Sequence, residues 1–383
     1  RTPIGTIGGQ FKTLAPVELT IPVMQNLIKR AGIDPVIIDD VIWGCNYQRT
    51  YKENNLARVA AVKAGLPVTV PGITIHRNCT SSMSAIQMGF YQIRAGEAEC
   101  IMAGGSDSMS TAPHMVFNAR YGQKYGHMEM RDSMWDSLTN LGVGPAMGIT
   151  AENVADKYDI TREQMDAYSL RSQQRAVAAI DAGRFEEEII PVTVKSRKSE
   201  TVYTVDEYPK RNATLEGLQK LKPAFKEGGK VTAGNASGMN DASSGVILMS
   251  EEKAKELGCP IMAKVVSVAT TGVEPELMGI GPISSTKKAL EKAGLTVDDI
   301  DLFEINEAFS SQCLACQKEL GVPDEKLNVN GGGISLGHPV GATGSRIVIT
   351  LMYELKRRKQ RYGVATLCAG GGMGTTVVIE MCE

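Results

Sequence analysis

Two parts of the chain show helical and strand-like hydrophobic patterns in the same order. In the first part, residues 19–28 carry apolar side chains at helical spacing, Gly32 marks a helix end, and residues 41–43 form a short apolar run typical of a buried strand. Residues 291–304 repeat the order of residues 29–43. Because a repeated pattern is the sequence signature of a repeated structural unit, we predict a duplicated α/β half.

Each copy is also predicted to end in a strand that closes with Ala-Gly-Gly. Residues 101–109 and 367–374 show this pattern. The two copies are therefore expected to form similar domains packed back to back, separated by a segment of different character. The predicted boundaries are an N-terminal half at residues 1–110, a loop domain at 111–230, a return to the N-terminal half at 231–260 and a C-terminal half at 261–383.

The middle segment is predicted to contain one clear helix and otherwise polar loop. The helix begins at the capping box Thr161-x-x-Gln164 and ends near Gly183. From residue 195 to residue 230 there are nine Lys or Arg against five Asp or Glu, although the whole chain has a formal charge of −2. This local excess of positive charge indicates either a binding site for an anionic ligand or an ordinary solvent-exposed surface.

Cys79 lies where a predicted strand meets a predicted helix. Residues 73–75 alternate as in a strand, and residues 83–93 carry apolar side chains at helical spacing. At a helix N-terminus, exposed N–H groups and the positive end of the helix dipole favour a thiolate over a thiol. Cys79 is therefore predicted to be a nucleophile, with a buried structural cysteine as the alternative.

His338 is one of four histidines and lies in a glycine-rich stretch at residues 328–346. Pro339 fits the first turn of a helix, and apolar residues at helical spacing follow it. We predict that the imidazole lies where a strand ends and a helix begins, a position that α/β proteins use for chemistry. The alternative is that His338 has only a structural role in a tight turn.

Two further strand ends are predicted to carry groups for catalysis. Cys368 is followed by glycines, which let a substrate approach closely and leave the N–H of Gly370 free to point at an oxyanion. Asn306 follows another predicted strand, and its neutral amide can hold a water or a carbonyl oxygen. The uneven placement of these groups in the two copies indicates one shared pocket.

Five motifs, in this order along the chain, closely resemble those of the thiolases, the acyl-CoA C-acyltransferases. They are N-C-T-S-S-M at residues 78–83, T-A-G-N-A-S-G-M-N-D-A at 232–242, N-E-A-F at 306–309, G-H-P-V-G-A-T-G at 337–344 and C-A-G-G-G at 368–372. The resemblance covers essentially the whole chain. It implies an α/β protein with a layered α-β-α-β-α fold, internal duplication of an α/β half, and an inserted loop domain that covers coenzyme A (CoA).

The resemblance also implies a role for each catalytic residue. Cys79 would be acylated, Cys368 would exchange the α-proton of the acyl-CoA substrate, and His338 would activate Cys79 or the incoming CoA thiol. Asn306, through a water, would join His338 in one oxyanion hole, and the N–H groups of Cys79 and Gly370 would form the other. The substrate-binding residues implied in the same way are Lys210, Arg211, Ser237, Met147, Phe309 and Ala308.

Four positions depart from the pattern of the family. His76 replaces an asparagine three residues before Cys79, and Ser82 replaces a glycine three residues after it, which implies changes around the nucleophile rather than loss of activity. Ala146 occupies a place where acetoacetyl-CoA-specific members often carry histidine, so the chain-length preference is open. Lys210 stands where an arginine that contacts the nucleotide part of CoA is usual.

The implied function is reversible Claisen condensation of acyl-CoA with acetyl-CoA, or CoA-dependent thiolysis of 3-ketoacyl-CoA, through an acyl-cysteine intermediate. Acetyl-CoA acetyltransferase is the preferred activity. A longer-chain 3-ketoacyl-CoA thiolase and a non-catalytic subunit that binds acyl-CoA are the alternatives. A decarboxylating 3-ketoacyl synthase is disfavoured, because it needs no base such as Cys368 at the α-carbon.

Composition and cysteine spacing limit the cofactors and partners that the protein is expected to bind. Beyond acyl-CoA and CoA as substrates no cofactor is expected, and no metal, because Cys313-x-x-Cys316 lacks a second pair of ligands. The small net charge and the lack of long apolar runs predict neither nucleic acid nor membrane as partner. Eight cysteines without a secretory segment predict reduced thiols and a cytoplasmic location. A homodimer or homotetramer is expected. An upstream segment is expected before Arg1, and whether it includes a targeting peptide is left open by the sequence.

Overall fold

The computed structural model describes residues 1–49, 51–197 and 199–382. Its strands are β1 Gly5–Thr6, β2 Asp40–Gly44, β3 Gly72–Ile75, β4 Cys100–Ser108, β5 His114–Val116, β6 Met130–Asp132, β7 Val192–Lys195, β8 Glu200–Tyr203, β9 Asn240–Met249, β10 Ala263–Gly272, β11 Leu302–Ile305, β12 Tyr362–Ala369 and β13 Met373–Met381. Its α-helices are α1 Pro16–Ala31, α2 Leu56–Ala64, α3 Ser81–Arg94, α4 Ser133–Thr139, α5 Met147–Lys157, α6 Arg162–Asp181, α7 Leu215–Gln219, α8 Glu251–Glu256, α9 Gly281–Ala293, α10 Ser310–Leu320, α11 Gly333–Leu336 and α12 Thr343–Arg358.

Two sheets with matching connectivity form the centre of the molecule. The five-stranded sheet has the order β1-β9-β4-β2-β3, and the four-stranded sheet has the order β10-β13-β12-β11. In each sheet a parallel pair, β2 with β4 or β11 with β12, is followed by an antiparallel neighbour, β9 or β13. The shared order confirms the predicted internal duplication.

The two copies also end equivalent helices in the same way. Gly32 closes α1 and Gly294 closes α9, each in the left-handed region with φ of 67°. Glycine reaches this conformation without the steric cost of a Cβ, which is why it commonly ends helices. The predicted helix end at Gly32 is confirmed, and it recurs in the second copy.

The layers follow from the faces that each helix buries. Helices α3 and α12 lie between the sheets, where Met83, Ile86, Ile347 and Leu351 form one buried cluster with residues of both sheets. Helices α1 and α2 contribute to the core on the outer face of the first sheet, and α9 and α10 to that of the second. Burial on the apolar faces of these elements holds the layers together. The arrangement is the predicted α-β-α-β-α order.

The segment between β4 and β9 contains more regular structure than predicted. The predicted helix is present as α6, and both hydrogen bonds of its capping box form. Helices α4, α5 and α7 and the hairpins β5–β6 and β7–β8 also lie here, so the prediction of polar loop outside one helix is wrong. Helix α5 was missed because Gly148, near its start, has a low helix propensity. A Cβ at this position would overlap the ring of Phe225, so the glycine allows Phe225 to pack closely against the helix.

Candidate active site

Cys79 lies between β3 and α3, one residue before the helix cap Thr80, as predicted. Burial raises the pKa of its thiol to about 11, and the backbone N–H groups of Gly370 and of Cys79 itself oppose this rise by contacting the sulfur. The prediction that the helix end favours a thiolate is therefore wrong for the resting site, because burial has the larger effect. Attack by this cysteine requires a base that takes its proton.

His338 lies in the loop between α11 and α12, and its side chain is 6% exposed. The predicted strand before it and the predicted helix start at Pro339 are wrong, because the one-turn helix α11 precedes it and α12 begins only at Thr343. The carbonyl of Pro339 accepts the N–H groups of Ala342 and Thr343, so the proline opens the turn that leads into α12. The N–H of His338 donates to Oδ1 of Asn240 at 2.9 Å, which holds the corner in place.

The hydrogen bonds of Thr343 determine which ring nitrogen of His338 carries the proton. The Thr343 hydroxyl donates to the carbonyl of Pro339 at 2.9 Å, so it accepts from Nδ1 of His338, 2.7 Å away. Nε2 is therefore the unprotonated nitrogen, and its lone pair can accept a hydrogen bond or a proton. Burial and the nearby guanidinium of Arg346 lower the pKa of His338 to about 3, so the ring is neutral at pH 7. A neutral imidazole with this lone pair can accept a proton.

Asn306 follows β11 directly and is buried beside His338. Its Nδ2 lies 3.5 Å from Nε2 of the histidine, which agrees with an unprotonated Nε2. Its Oδ1 makes no hydrogen bond within the described residues. A buried acceptor without a partner is costly, so this oxygen is suited to bind a ligand group or a water. The structure thus brings Asn306 and His338 together, as expected.

Cys368 is fully buried at the penultimate position of β12, close to the other predicted site residues. Burial and the neighbouring Cys79 raise the pKa of its thiol well above the usual value. It belongs to the same buried cluster as Met147, Ala308 and Phe309, three of the predicted substrate-binding residues. Two buried thiols, one of which raises the pKa of the other, can divide proton transfer and acyl transfer between them.

A continuous path of contacts leads from this cluster to Lys210. The N–H of Ser237 donates to the carbonyl of Ala308 at 2.9 Å. The next residue, Gly238, faces Tyr208, because a Cβ there would lie 2.4 Å from the phenol ring. Nζ of Lys210 lies 5.7 Å from the centre of the same ring. The structure therefore connects these predicted substrate-binding residues along one surface.

Arg211 points elsewhere. Its guanidinium lies 2.8 Å from the carboxylate of Asp181, and each of these side chains is 56% exposed. An exposed pair of this kind contributes little to stability, but it neutralises the arginine. Of the two side chains predicted to bind CoA, Arg211 forms an ion pair with a carboxylate, whereas Lys210 forms none among the described residues.

Comparison with known families agrees with this arrangement. The family model for the thiolase N-terminal domain matches residues 1–252, and that for the thiolase C-terminal domain matches residues 259–381. The chain belongs to the thiolase family. A relative from Syntrophomonas wolfei, named acetyl-CoA acetyltransferase, is 50% identical over 99% of this chain and 97% of its own. A Staphylococcus aureus relative that is 45% identical over the same shares is named probable acetyl-CoA acyltransferase.

Solved thiolase structures have the same fold. The crystal structure of the Bacillus anthracis acetyl-CoA acetyltransferase is 49% identical, with a TM-score of 0.97 over 100% of this chain and 96% of that one. Human mitochondrial 3-ketoacyl-CoA thiolase is 42% identical, with a TM-score of 0.97 over 100% of this chain and 97% of that one. The predicted thiolase fold and family are therefore confirmed. The site roles of individual residues stay predictions.

Three residues that complete the thiolase site were not assigned roles from the sequence. Asn240 and Thr343 hold His338, and both lie within motifs that resemble the family, so the motifs were the available signal. Leu141 was not flagged by any motif. Its Cδ2 would lie 2.9 Å from a Cβ at Gly370, so it forms a wall against the glycine loop.

Ser82, one of the departures from the thiolase pattern, makes a specific hydrogen bond in the structure. The hydroxyl of Ser82 accepts the N–H of Ser345 at 2.9 Å, so the side chain that replaces glycine caps the first turn of α12.

Among the residues that the structure describes, no group of three potential metal-ligating side chains occurs. No helix within that part of the chain is long and apolar enough to span a bilayer.

Proposed function

We propose that the protein is an acyl-CoA C-acyltransferase that transfers acyl groups through Cys79, with acetyl-CoA acetyltransferase as its activity. The observation that supports this most is that Asn78, next to Cys79, donates to the carbonyl of Gly370 at 2.7 Å, which brings the nucleophile beside the glycine loop after Cys368 in one buried pocket. Such a pocket supplies a nucleophile, a second proton-transfer group and a donor for an oxyanion. Acyl transfer between thioesters requires these groups.

In the first half-reaction, Cys79 attacks the thioester carbonyl and Nε2 of His338 takes the thiol proton. The N–H groups of Cys79 and Gly370 stabilise the oxyanion. As the thioester bond breaks, the protonated His338 gives its proton to the departing CoA sulfur. The products are acyl-Cys79 and free CoA, with His338 neutral again and Cys368 still a thiol, so the protons balance.

In the second half-reaction, Nε2 of His338 takes the thiol proton of Cys368, and the resulting thiolate removes an α-proton from acetyl-CoA. The protonated His338, with a water on Asn306, stabilises the enolate oxygen. The enolate carbon attacks acyl-Cys79 to form the C–C bond, and the tetrahedral oxyanion collapses with loss of the Cys79 thiolate. Proton transfer from His338 restores the Cys79 thiol, and every group returns to its starting state.

The preference for acetyl groups rests on two lines of support. Relatives named acetyl-CoA acetyltransferase are 45–50% identical over nearly the whole chain. Leu141 and Met147 both approach the glycine loop at Gly370, with Cδ2 and Sδ at 2.9 and 3.3 Å from a Cβ built there. These side chains leave little room beside the reacting carbonyl. The longer-chain thiolase remains the second candidate, because the human mitochondrial 3-ketoacyl-CoA thiolase has the same fold.

Thiolysis of a series of 3-ketoacyl-CoAs with four to sixteen carbons tests this proposal. We expect the highest kcat/KM for acetoacetyl-CoA and a steady decline with chain length, because each added methylene has to fit against Leu141 and Met147. A maximum at longer chains would favour the 3-ketoacyl-CoA thiolase. No turnover with any member, in either direction, would favour the non-catalytic subunit.

We further propose that Lys210 contacts the phosphates of CoA. Lys210→Ala should raise the KM for CoA about two- to fivefold, because an exposed ion pair contributes little. The effect should be larger at low ionic strength, where exposed charges are least screened. Arg211→Ala should have a smaller effect, since Asp181 already neutralises that side chain. Lys195→Ala, in the same basic segment but paired with Glu200, is the control. Equal KM values for wild type and Lys210→Ala at low salt would contradict the assignment.

The oligomeric state and the cytoplasmic location stay predictions. Large apolar side chains are exposed in the segment 115–135, and such patches often mark contacts between subunits. They are Met115, Val116, Phe117, Tyr121, Tyr125, Met128, Met130 and Trp135. The eight free cysteines are compatible with a reducing compartment.

A further inference from the structure

Asn78, the residue before the nucleophile, joins the two halves of the protein beside Cys79. Its backbone is left-handed with φ of 47°, a conformation that Asn adopts more readily than most residues. Its Nδ2 donates to the carbonyl of Gly370 at 2.7 Å, across 292 positions of sequence. Hydrogen bonding by the backbone N–H of the same Gly370 lowers the pKa of the Cys79 thiol against the effect of burial. Two consecutive residues of the first half therefore hold both polar backbone groups of one glycine in the second half.

The Gly370 carbonyl determines the orientation of the Asn78 amide, and His76 supports it. Because a carbonyl oxygen only accepts hydrogen bonds, the amide nitrogen of Asn78 must face Gly370 and its Oδ1 must face His76. Nε2 of His76 lies 3.0 Å from this Oδ1 and is the donor. A chain of two side-chain hydrogen bonds thus runs from the exposed His76 to the glycine loop.

The glycine loop needs a restraint of this kind. Gly371 and Gly372 follow Gly370 in left-handed conformations, with φ of 86° and 82°. Glycine restricts its own backbone less than any other residue, so a run of three has little intrinsic rigidity. An N–H that stabilises an oxyanion acts well only when it is held in position beforehand. The amide of Asn78 supplies that support from outside the loop.

We propose that Asn78 and His76 are positioning residues that hold the N–H of Gly370 against Cys79. The proposal deepens the proposed acyl transfer and rests on it, because it assigns the two residues to the oxyanion site of that reaction. It also assigns a role to His76, which occupies a position where asparagine is usual in the family.

The test is the rate at which iodoacetamide alkylates Cys79 at pH 8, followed by mass spectrometry of the peptide that contains it. Asn78→Gly keeps the left-handed backbone but removes the amide. We expect alkylation about tenfold slower, because a weaker N–H contact raises the pKa of the thiol by about one unit and only the thiolate reacts. Removing a side chain cannot obstruct the reagent, so slower reaction reports on the thiolate. The rate of Cys79 acylation should fall about 10- to 100-fold, with little change in KM.

Two variants of His76 keep the proposal testable if Asn78→Gly folds poorly. His76→Phe should slow alkylation in the same direction, and His76→Gln, which keeps an N–H donor, should restore the rate. Asp159→Gly, at another exposed left-handed position, is the matched control and should react like wild type. Alkylation of Asn78→Gly or His76→Phe at or above the wild-type rate would overturn the proposal. A wild-type protein that forms no acyl adduct would overturn only the proposed function, because the alkylation comparison needs no acyl-CoA.

Discussion

Cys79→Ser is expected to abolish acyl transfer while leaving the fold intact. The thiol of Cys79 has a pKa of about 11, so it attacks only when a base takes its proton, a role that we assign to the neutral imidazole of His338. A serine hydroxyl is a much weaker acid and a poorer leaving group from an acyl intermediate. We expect no covalent adduct by mass spectrometry after mixing with acetyl-CoA, and a loss of turnover on the order of 10⁴-fold or more. An unchanged melting temperature would show that the site, and not the fold, was lost.

Cys259→Ser is the matched control for this experiment. Cys259 is also a free, partly buried cysteine, but it lies at the end of α8 on the periphery of the first sheet. We expect this variant to form the adduct and to turn over like wild type. An adduct that persists in Cys79→Ser, mapped to a different residue, would show that the nucleophile is misassigned.

The fold was largely predictable because its strongest signals are local. Helix ends at glycine, as at Gly32, and the repeated order of helix and strand depend on residues a few positions apart. The middle segment was harder to predict. Helix α5 contains Gly148, which lowers helix propensity, and it is stabilised by packing against Phe225 from a part of the chain about eighty residues away. Local propensity carries no information about such a contact.

The candidate site was predictable by residue type but not by environment. The helix end at Cys79 was placed correctly, and it argues for a low thiol pKa, but burial by both halves raises that pKa instead. Arg211 is a second example. Its positive charge is visible in the sequence, whereas its partner Asp181 lies thirty positions earlier and is brought near by α6. In both cases the electrostatic result depends on contacts that only the folded chain creates.

The two cysteines are expected to separate the two half-reactions. Cys368→Ala should still accept an acetyl group on Cys79, because that step forms no carbanion, but it should fail at the C–C step. A positioned acid or base contributes about 10²- to 10⁴-fold, so exchange of the α-hydrogens of acetyl-CoA into D₂O should slow by that factor. Proton NMR of acetyl-CoA in D₂O measures this exchange, and mass spectrometry of the same sample shows the trapped acetyl-enzyme.

The control for this prediction is Cys316→Ala. Cys316 is as deeply buried as Cys368, lies close enough to influence its pKa, and donates to the carbonyl of Gly279 rather than facing the site. Each deletion removes one buried sulfur and costs stability of about 1–2 kcal/mol, so a difference between the two variants isolates chemistry from packing. We expect wild-type exchange in Cys316→Ala and slow exchange in Cys368→Ala. Wild-type exchange in both would make another group the α-carbon base. His338 would then be the first candidate, since its unprotonated Nε2 lies in the site beside Asn306.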